Sequence, residues 1–143
     1  MTGVSAYLLV IALGWIVAQG LKYVFAVIKT KRIGNFRQFY TSGNMPSSHS
    51  ACVVGLATVV GLQDGFDSAL FGIAFLFASI VMYDAVMVRR SSGEQGLAIQ
   101  QLIKLGKSNI VLPRAAKGHT PAEVLIGALL GIILGLVVFV ATK

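Results

Sequence analysis

The stretch AEVLIGALLGIILGLVVFVA, Ala122–Ala141, decides the class of fold. Beyond Glu123 it holds no charged residue. It matches the roughly 20 apolar residues that a helix needs to cross a bilayer. Its apolar positions do not alternate with period two, so a membrane strand is a poor reading.

The rest of the chain agrees with a membrane setting. Of its 143 residues, 56% are hydrophobic and only 12% charged, where soluble domains carry about 25% charged residues. The mean hydropathy is +0.82. Too few polar side chains exist to cover a soluble core. Three further apolar segments precede the last one: about Val4 to Ile28, Ser50 to Leu62, and Ser68 to Val88. The expectation is one all-α domain over residues 1–143, a polytopic bundle of about four transmembrane helices. The apolar residues of GLAIQQLIKLG, Gly96–Gly106, predict a short interfacial helix in the loop before the last span. No cleavable signal peptide is evident, because the first apolar segment lacks a basic start and carries Lys22 inside it.

The net charge of +7 sits between these segments. Lys29, Lys31, Arg32 and Arg37 lie in one connection, and Arg89, Arg90, Lys104, Lys107, Arg114 and Lys117 in another. With about four crossings, both fall on one side, which the positive-inside rule places in the cytoplasm. There is no interleaving of aromatic and basic residues that would stack bases, so nucleic acid is not an expected partner. Anionic lipids and phosphorylated substrates suit the charge better. The single cysteine, Cys52, has no partner for an internal disulfide.

The unusual polar residues fall on that same face. Lys22 lies toward the end of the first segment. Ser47, Ser48 and His49, in SGNMPSSHSA (Ser42–Ala51), begin the second. Asp84, Arg89 and Arg90, in YDAVMVRR (Tyr83–Arg90), end the third. His119 and Glu123, in GHTPAEV (Gly118–Val124), begin the fourth. The chain has two histidines, and each stands at the start of an apolar helix. Helix N-termini bind anions through unpaired N–H groups, and arginine forks fit phosphate oxygens. Imidazole serves as nucleophile or proton donor near neutral pH. Basic residues with two histidines point to phosphoryl transfer through a histidine. The two histidines, with Asp84 or Glu123 in support, would make a thin metal shell, so no metal is expected.

Plainer readings stand beside these. Ser47 and Ser48 suit a helix cap. Thr120, Pro121 and Glu123 form a capping box with proline at the first helical position, which competes with any role of Glu123 toward His119. Arg89 and Arg90 suit membrane anchors, and Lys22 a snorkelling lysine. Asp84, an acid within a span, reads as a support that holds the pocket's cations. Gly127, Gly131 and Gly135 let helices approach closely, either within the chain or across a homo-oligomer contact through the last helix.

Together, MPSSHSA, YDAVMVRR and GHTPAEV resemble the divergent branch of the type-2 phosphatidic acid phosphatase superfamily, proteins related to acid phosphatases and vanadium-dependent haloperoxidases. GWIVAQGLK, Gly14–Lys22, extends the resemblance over nearly the whole chain. Pro46-Ser47-Ser48-His49 resembles the superfamily's Pro-Ser-Gly-His motif with serine for glycine. His119 to Glu123 resembles its His-x3-Asp motif with glutamate for aspartate. A long insert separates Arg89 and Arg90 from His119, and no Arg-Pro follows Lys22 at the family spacing.

The resemblance implies a metal-independent hydrolase of phosphoric monoesters or diphosphates that needs no cofactor. His119 would attack phosphorus and form a phosphohistidine, Glu123 would hold its ring, and His49 would protonate the leaving oxygen. Lys22, Ser47, Ser48, Arg89 and Arg90 would bind the phosphate. Lipid phosphates and polyprenyl diphosphates are the implied substrates. The alternative is a non-catalytic carrier or regulator that binds an anionic lipid or phosphate.

Overall fold

A computed structural model describes residues 5–31, 45–107, 109–113, 115 and 118–143. Val4 and the basic residues Arg32, Arg37, Arg114 and Lys117 lie outside them. The described residues form five α-helices. They are α1 (Ala6–Thr30), α2 (Ser48–Asp64), α3 (Ala69–Tyr83), α4 (Arg89–Leu105) and α5 (Pro121–Thr142), with a π-helical turn, Asp84–Val88, joining α3 to α4.

The central helix is α2, packed against α1, α3 and α5. Much of its length is buried, from Ser48 and Ser50 to Val59, Val60 and Gly61. Two contacts fix its direction relative to α1. The Tyr7 hydroxyl donates to Asp64 Oδ2 at 2.7 Å, and the Cys52 thiol reaches the Ile11 carbonyl at 3.4 Å. The start of α1 therefore meets the end of α2. The face that α1 turns inward repeats every fourth residue through Ala6, Val10, Gly14, Ala18 and Lys22, as a helix of 3.6 residues per turn requires.

In contrast, α5 runs parallel to α2. Its glycines make this possible. A Cβ at Gly127 would lie 2.5 Å from the Ser47 carbonyl oxygen, one at Gly131 would lie 2.6 Å from that of Ala51, and one at Gly135 would lie 2.7 Å from Thr58 Cβ. Lipid is as apolar as the helices, so close van der Waals approach between small residues does much of the packing. The glycine face of α5 is thus occupied within the chain. At the far end, Gly65 at φ 94° turns the chain from α2 to α3. Ser68 caps α3 by accepting the Phe71 N–H at 3.1 Å.

Among the described residues, three helices are long and apolar enough to cross a membrane: Ala6–Ile28, the continuous Ala69–Leu105, and Pro121–Thr142. The expectation of about four spans plus a separate interfacial helix is corrected in two places. First, α2 stops at 17 residues, between its serine cap and Asp64-Gly65, short of the usual spanning length of roughly 20. Second, the third segment does not end at Val88. No proline or cap interrupts Arg89–Ser92, so the helix continues through the π turn into α4. The amphipathic stretch around Leu97 and Leu102 belongs to that extension.

Beyond α4 the chain doubles back along it. Gln100 Nε2 donates to the Pro113 carbonyl at 2.6 Å. A Cβ on Gly96 would lie 3.1 Å from Ala115, and one on Gly118 would lie 2.5 Å from Arg90 Cα. The long insert between Arg90 and His119 is therefore a closed excursion, whose two ends touch.

Candidate active site

The starts of α2 and α5 are stitched together. The Ser47 N–H donates to the Glu123 carbonyl at 3.1 Å. Ser47 Oγ accepts from the Ser50 N–H at 3.4 Å and from the Ser50 hydroxyl at 2.9 Å. Fully buried Ser47 is thus committed to capping and to joining the helices. The first-turn N–H groups of Ser48 and His49 have no partner among the described residues, and they open toward the helix end where the positive end of the dipole lies.

Glu123 serves His119 and the cap at once. Its Oε2 lies 3.1 Å from His119 Nδ1 and accepts the Thr120 N–H at 3.0 Å, while Thr120 Oγ1 accepts the Glu123 N–H at 3.3 Å. The competition between capping box and histidine partner does not arise, because a carboxylate oxygen accepts more than one hydrogen bond. An ionised carboxylate only accepts, so opposite one, His119 Nδ1 is the donor, which leaves Nε2 as the ring's other nitrogen for chemistry.

The π turn fixes the other side of His119. In a regular helix, residues five apart point about 140° away from each other. Across the wider turn, the Arg89 N–H bonds to the Asp84 carbonyl, and the Arg89 side chain pairs with the Asp84 carboxylate. The loosened ladder leaves the Ala85 carbonyl to accept the His119 N–H at 3.1 Å. Inserted turns of this kind are frequent at functional sites.

His119 is buried, yet it lines a cavity of about 440 Å³ with Gly118, Thr120, Arg90 and Glu94. Arg90 pairs with Glu94 at 3.2 Å on the exposed side of α4. Lys22 is buried on α1 and interacts with Glu123 through its charge. His49, in the first turn of α2 and outside the three long apolar helices, is exposed and does not line that cavity. It still lies in the electrostatic field of Arg89, Lys22, His119 and Asp84. Partial withdrawal from water, then the positive charges of Arg89 and Lys22 and the neighbouring His119 imidazole, push its pKa below the ordinary histidine value, against an upward pull from Asp84.

The expected residues thus gather at one end of the bundle, in two groups. His119, Thr120 and Arg90 line the cavity, with Glu123 paired to His119 behind it, while His49, Lys22, Arg89 and Asp84 share one electrostatic neighbourhood beside it. Gln19 is a further polar residue within the first apolar segment. The structure buries it beside Lys22 with its Oε1 unpartnered. Gly118 was also unmarked, and its place directly before the histidine was the available signal.

A second feature runs along the bundle, from Phe66 and Phe71 at the far end to Met82 and Ala128 toward this one. A groove of about 500 Å³ opens between α3 and α5 over α2, lined by Ala57, Phe75, Ala78, Met82, Ala128 and Ile132, among others. Its hydroxyls are turned inward: Thr58 donates to the Val54 carbonyl at 2.8 Å, and Ser79 to that of Phe75 at 2.9 Å. The groove therefore presents hydrocarbon.

A helical integral membrane protein with a buried histidine–carboxylate pair at one end of its bundle is the class these features define. The chain belongs to the divergent PAP2 family, whose match covers residues 4–134. It is 38% identical over 137 residues to an uncharacterized membrane protein, YuiD, of Bacillus subtilis (strain 168), with 85% of this chain and 86% of that protein covered. No solved structure matches the chain.

Proposed function

We propose that the protein is an integral-membrane phosphatase that hydrolyses a lipid phosphate or polyprenyl diphosphate through a phosphohistidine. The observation that carries this reading is the His119–Glu123 pair at the wall of a cavity that Arg90 also lines. His119 Nε2 attacks phosphorus as the bond to the leaving oxygen breaks. His49, when protonated, gives that oxygen its hydrogen. Glu123 steadies the ring and the positive charge it gains. Lys22, Arg89, Arg90 and the free N–H groups of Ser48 and His49 balance charge on the equatorial oxygens, with Ser47 holding that helix start in place. Water then cleaves the phosphorus–nitrogen bond, and phosphate leaves.

The apolar groove beside the site supports a substrate with a hydrocarbon chain. The positive-inside rule supports a cytoplasmic location for this face. Any self-association through α5 would use its outer face, since its glycines already pack on α2.

The test is phosphate release from lipid phosphates by purified protein in detergent. His119→Ala is expected to abolish release and to prevent an acid-labile phosphoryl label on the protein. Release unchanged by that substitution refutes the assignment. A second reading, lipid binding without turnover, draws on the pairing of both arginines with carboxylates. It predicts lipid binding that depends on Arg89 and Arg90 with no release.

A further inference from the structure

The chain between Arg90 and His119 forms an arm with little to cover it. At the rise of an α-helix, the continuous Ala69–Leu105, of 37 residues, runs about 55 Å, against about 30 Å of bilayer hydrocarbon. Ala85 lies level with His119, so α4 is the part that runs past the site. Among the described residues, α4 has no extended packing against another helix. The returning chain lies along one side of it, with Pro113 at Gln100 and Ala115 at Gly96. The tip stays open: Leu102 is 68% exposed, Leu105 81%, Ile110 65% and Val111 89%. Large apolar side chains gathered on one exposed element mark a contact surface.

The charge of the arm selects what it meets. From Gln95 to Ala122 the sequence holds Lys104, Lys107, Arg114 and Lys117, and neither Asp nor Glu. Lys104 and Lys107 are exposed among the apolar side chains of the tip. A second copy would bring the same positive charge to the contact, and like charges oppose it. Anionic lipid headgroups answer that charge. Basic residues interleaved with apolar ones suit a segment that lies in the headgroup layer. The bilayer is also close at hand, because the helix that carries the arm crosses it, and a tethered segment meets its surface at high effective concentration. The root of the arm is the π turn, a place where helices bend, so the arm can lean onto the surface.

We propose that this arm docks on the anionic headgroup layer of the protein's own bilayer, with Leu102, Leu105, Ile110 and Val111 at the acyl boundary and Lys104 and Lys107 among the phosphates. Glu94 and Leu97, nearer its root, line the cavity at His119. A docked arm therefore fixes one wall of that cavity. The docking itself requires nothing of the phosphatase chemistry.

The test uses the full chain in nanodiscs, one copy per disc, of phosphatidylcholine alone or mixed with phosphatidylglycerol. In a Cys52→Ser background, Leu105→Cys or Val111→Cys carries a polarity-sensitive fluorophore. In anionic discs the emission is expected to shift to the blue and to be quenched by nitroxide-bearing lipids, at both positions. The docked fraction falls in neutral discs and at high salt. Lys104→Gln together with Lys107→Gln lowers the ratio of docked to free arm in anionic discs by about 25-fold, about fivefold for each charge, with the melting temperature unchanged. Labels that stay in water in both kinds of disc overturn the proposal. Burial that is equal in neutral and anionic discs, or unmoved by the two lysine substitutions, also overturns it. Burial that appears only with two copies per disc overturns it in favour of a contact between arms.

Discussion

His119 Nδ1 and Glu123 Oε2 stand 3.1 Å apart, and the same carboxylate oxygen closes the cap of α5 through Thr120. The two duties separate by substitution. Glu123→Gln keeps an oxygen for the Thr120 N–H but loses the charge that steadies a positive imidazole. Phosphate release is expected to fall by about 10²-fold or more, with the melting temperature nearly unchanged. Glu123→Ala loses the cap as well, at about 1 kcal/mol. Equal activity of the Gln variant and wild type would remove Glu123 from the chemistry.

The pH response follows from His49. As the proton donor it works only when protonated, and its pKa lies below the ordinary histidine value. The rate is therefore expected to fall as pH rises through a value below about 6.5. Arg89 contributes to that depression. Arg89→Gln should move the falling limb toward higher pH, even as it lowers the maximum. Stability runs the other way. The folded state holds its His49 proton less tightly than the unfolded chain, so the His49 contribution is present above the unfolded value and is lost as pH falls through the folded one. A pH–rate profile whose limb stays fixed in Arg89→Gln would contradict the coupling.

Glycine substitutions separate packing from helix propensity. At Gly131 a Cβ would lie 2.6 Å from the Ala51 carbonyl oxygen and 2.9 Å from the Gly55 nitrogen, both backbone atoms that cannot swing aside. Gly131→Ala is expected to destabilise by about 2 kcal/mol or more. At Gly20 nothing lies within 4 Å of the added carbon, and Gly20→Ala should be neutral or stabilise by up to about 1 kcal/mol. Thermal unfolding in detergent compares them directly. A Gly131→Ala protein as stable as wild type would mean that α2 and α5 do not cross where Gly55 and Gly131 meet.

Much of this arrangement was legible in residue order. The apolar runs marked the helices, and GHTPAEV carried its capping box openly. The gathering of His49, His119, Lys22 and the arginines at one end followed from where each fell along its helix. What stayed hidden depends on contacts between distant segments. Nothing in Asp84–Val88 announces a π turn, because its residues suit an α-helix equally well. The continuation into α4 was missed because Arg89 and Arg90 look like the end of a span, though nothing there breaks a helix. The return of the chain onto Arg90 depends on Gly118 meeting a backbone that lies far behind it in sequence. For Gln19, burial comes from the side on which α2 and α5 pack, which no local pattern reveals.

The apolar groove supplies the last prediction. Ala78 of α3 and Ala128 of α5 both line it, across the floor made by α2. A large side chain at either position fills the volume without replacing a residue of the site. Ala78 is almost fully buried, so Ala128→Phe is the gentler change. With the groove filled, a long-chain lipid phosphate loses its hydrocarbon contacts, each buried methylene being worth about 0.8 kcal/mol in transfer from water and less from detergent. A short, soluble phosphomonoester loses nothing. Ala128→Phe should therefore raise KM for the long-chain substrate several-fold and leave turnover of the short one within about twofold, the scatter of a substitution remote from the site. If both substrates suffer alike, the groove is a packing defect between α3 and α5 rather than a seat for the substrate's chain. If neither changes, the chain lies elsewhere along the bundle.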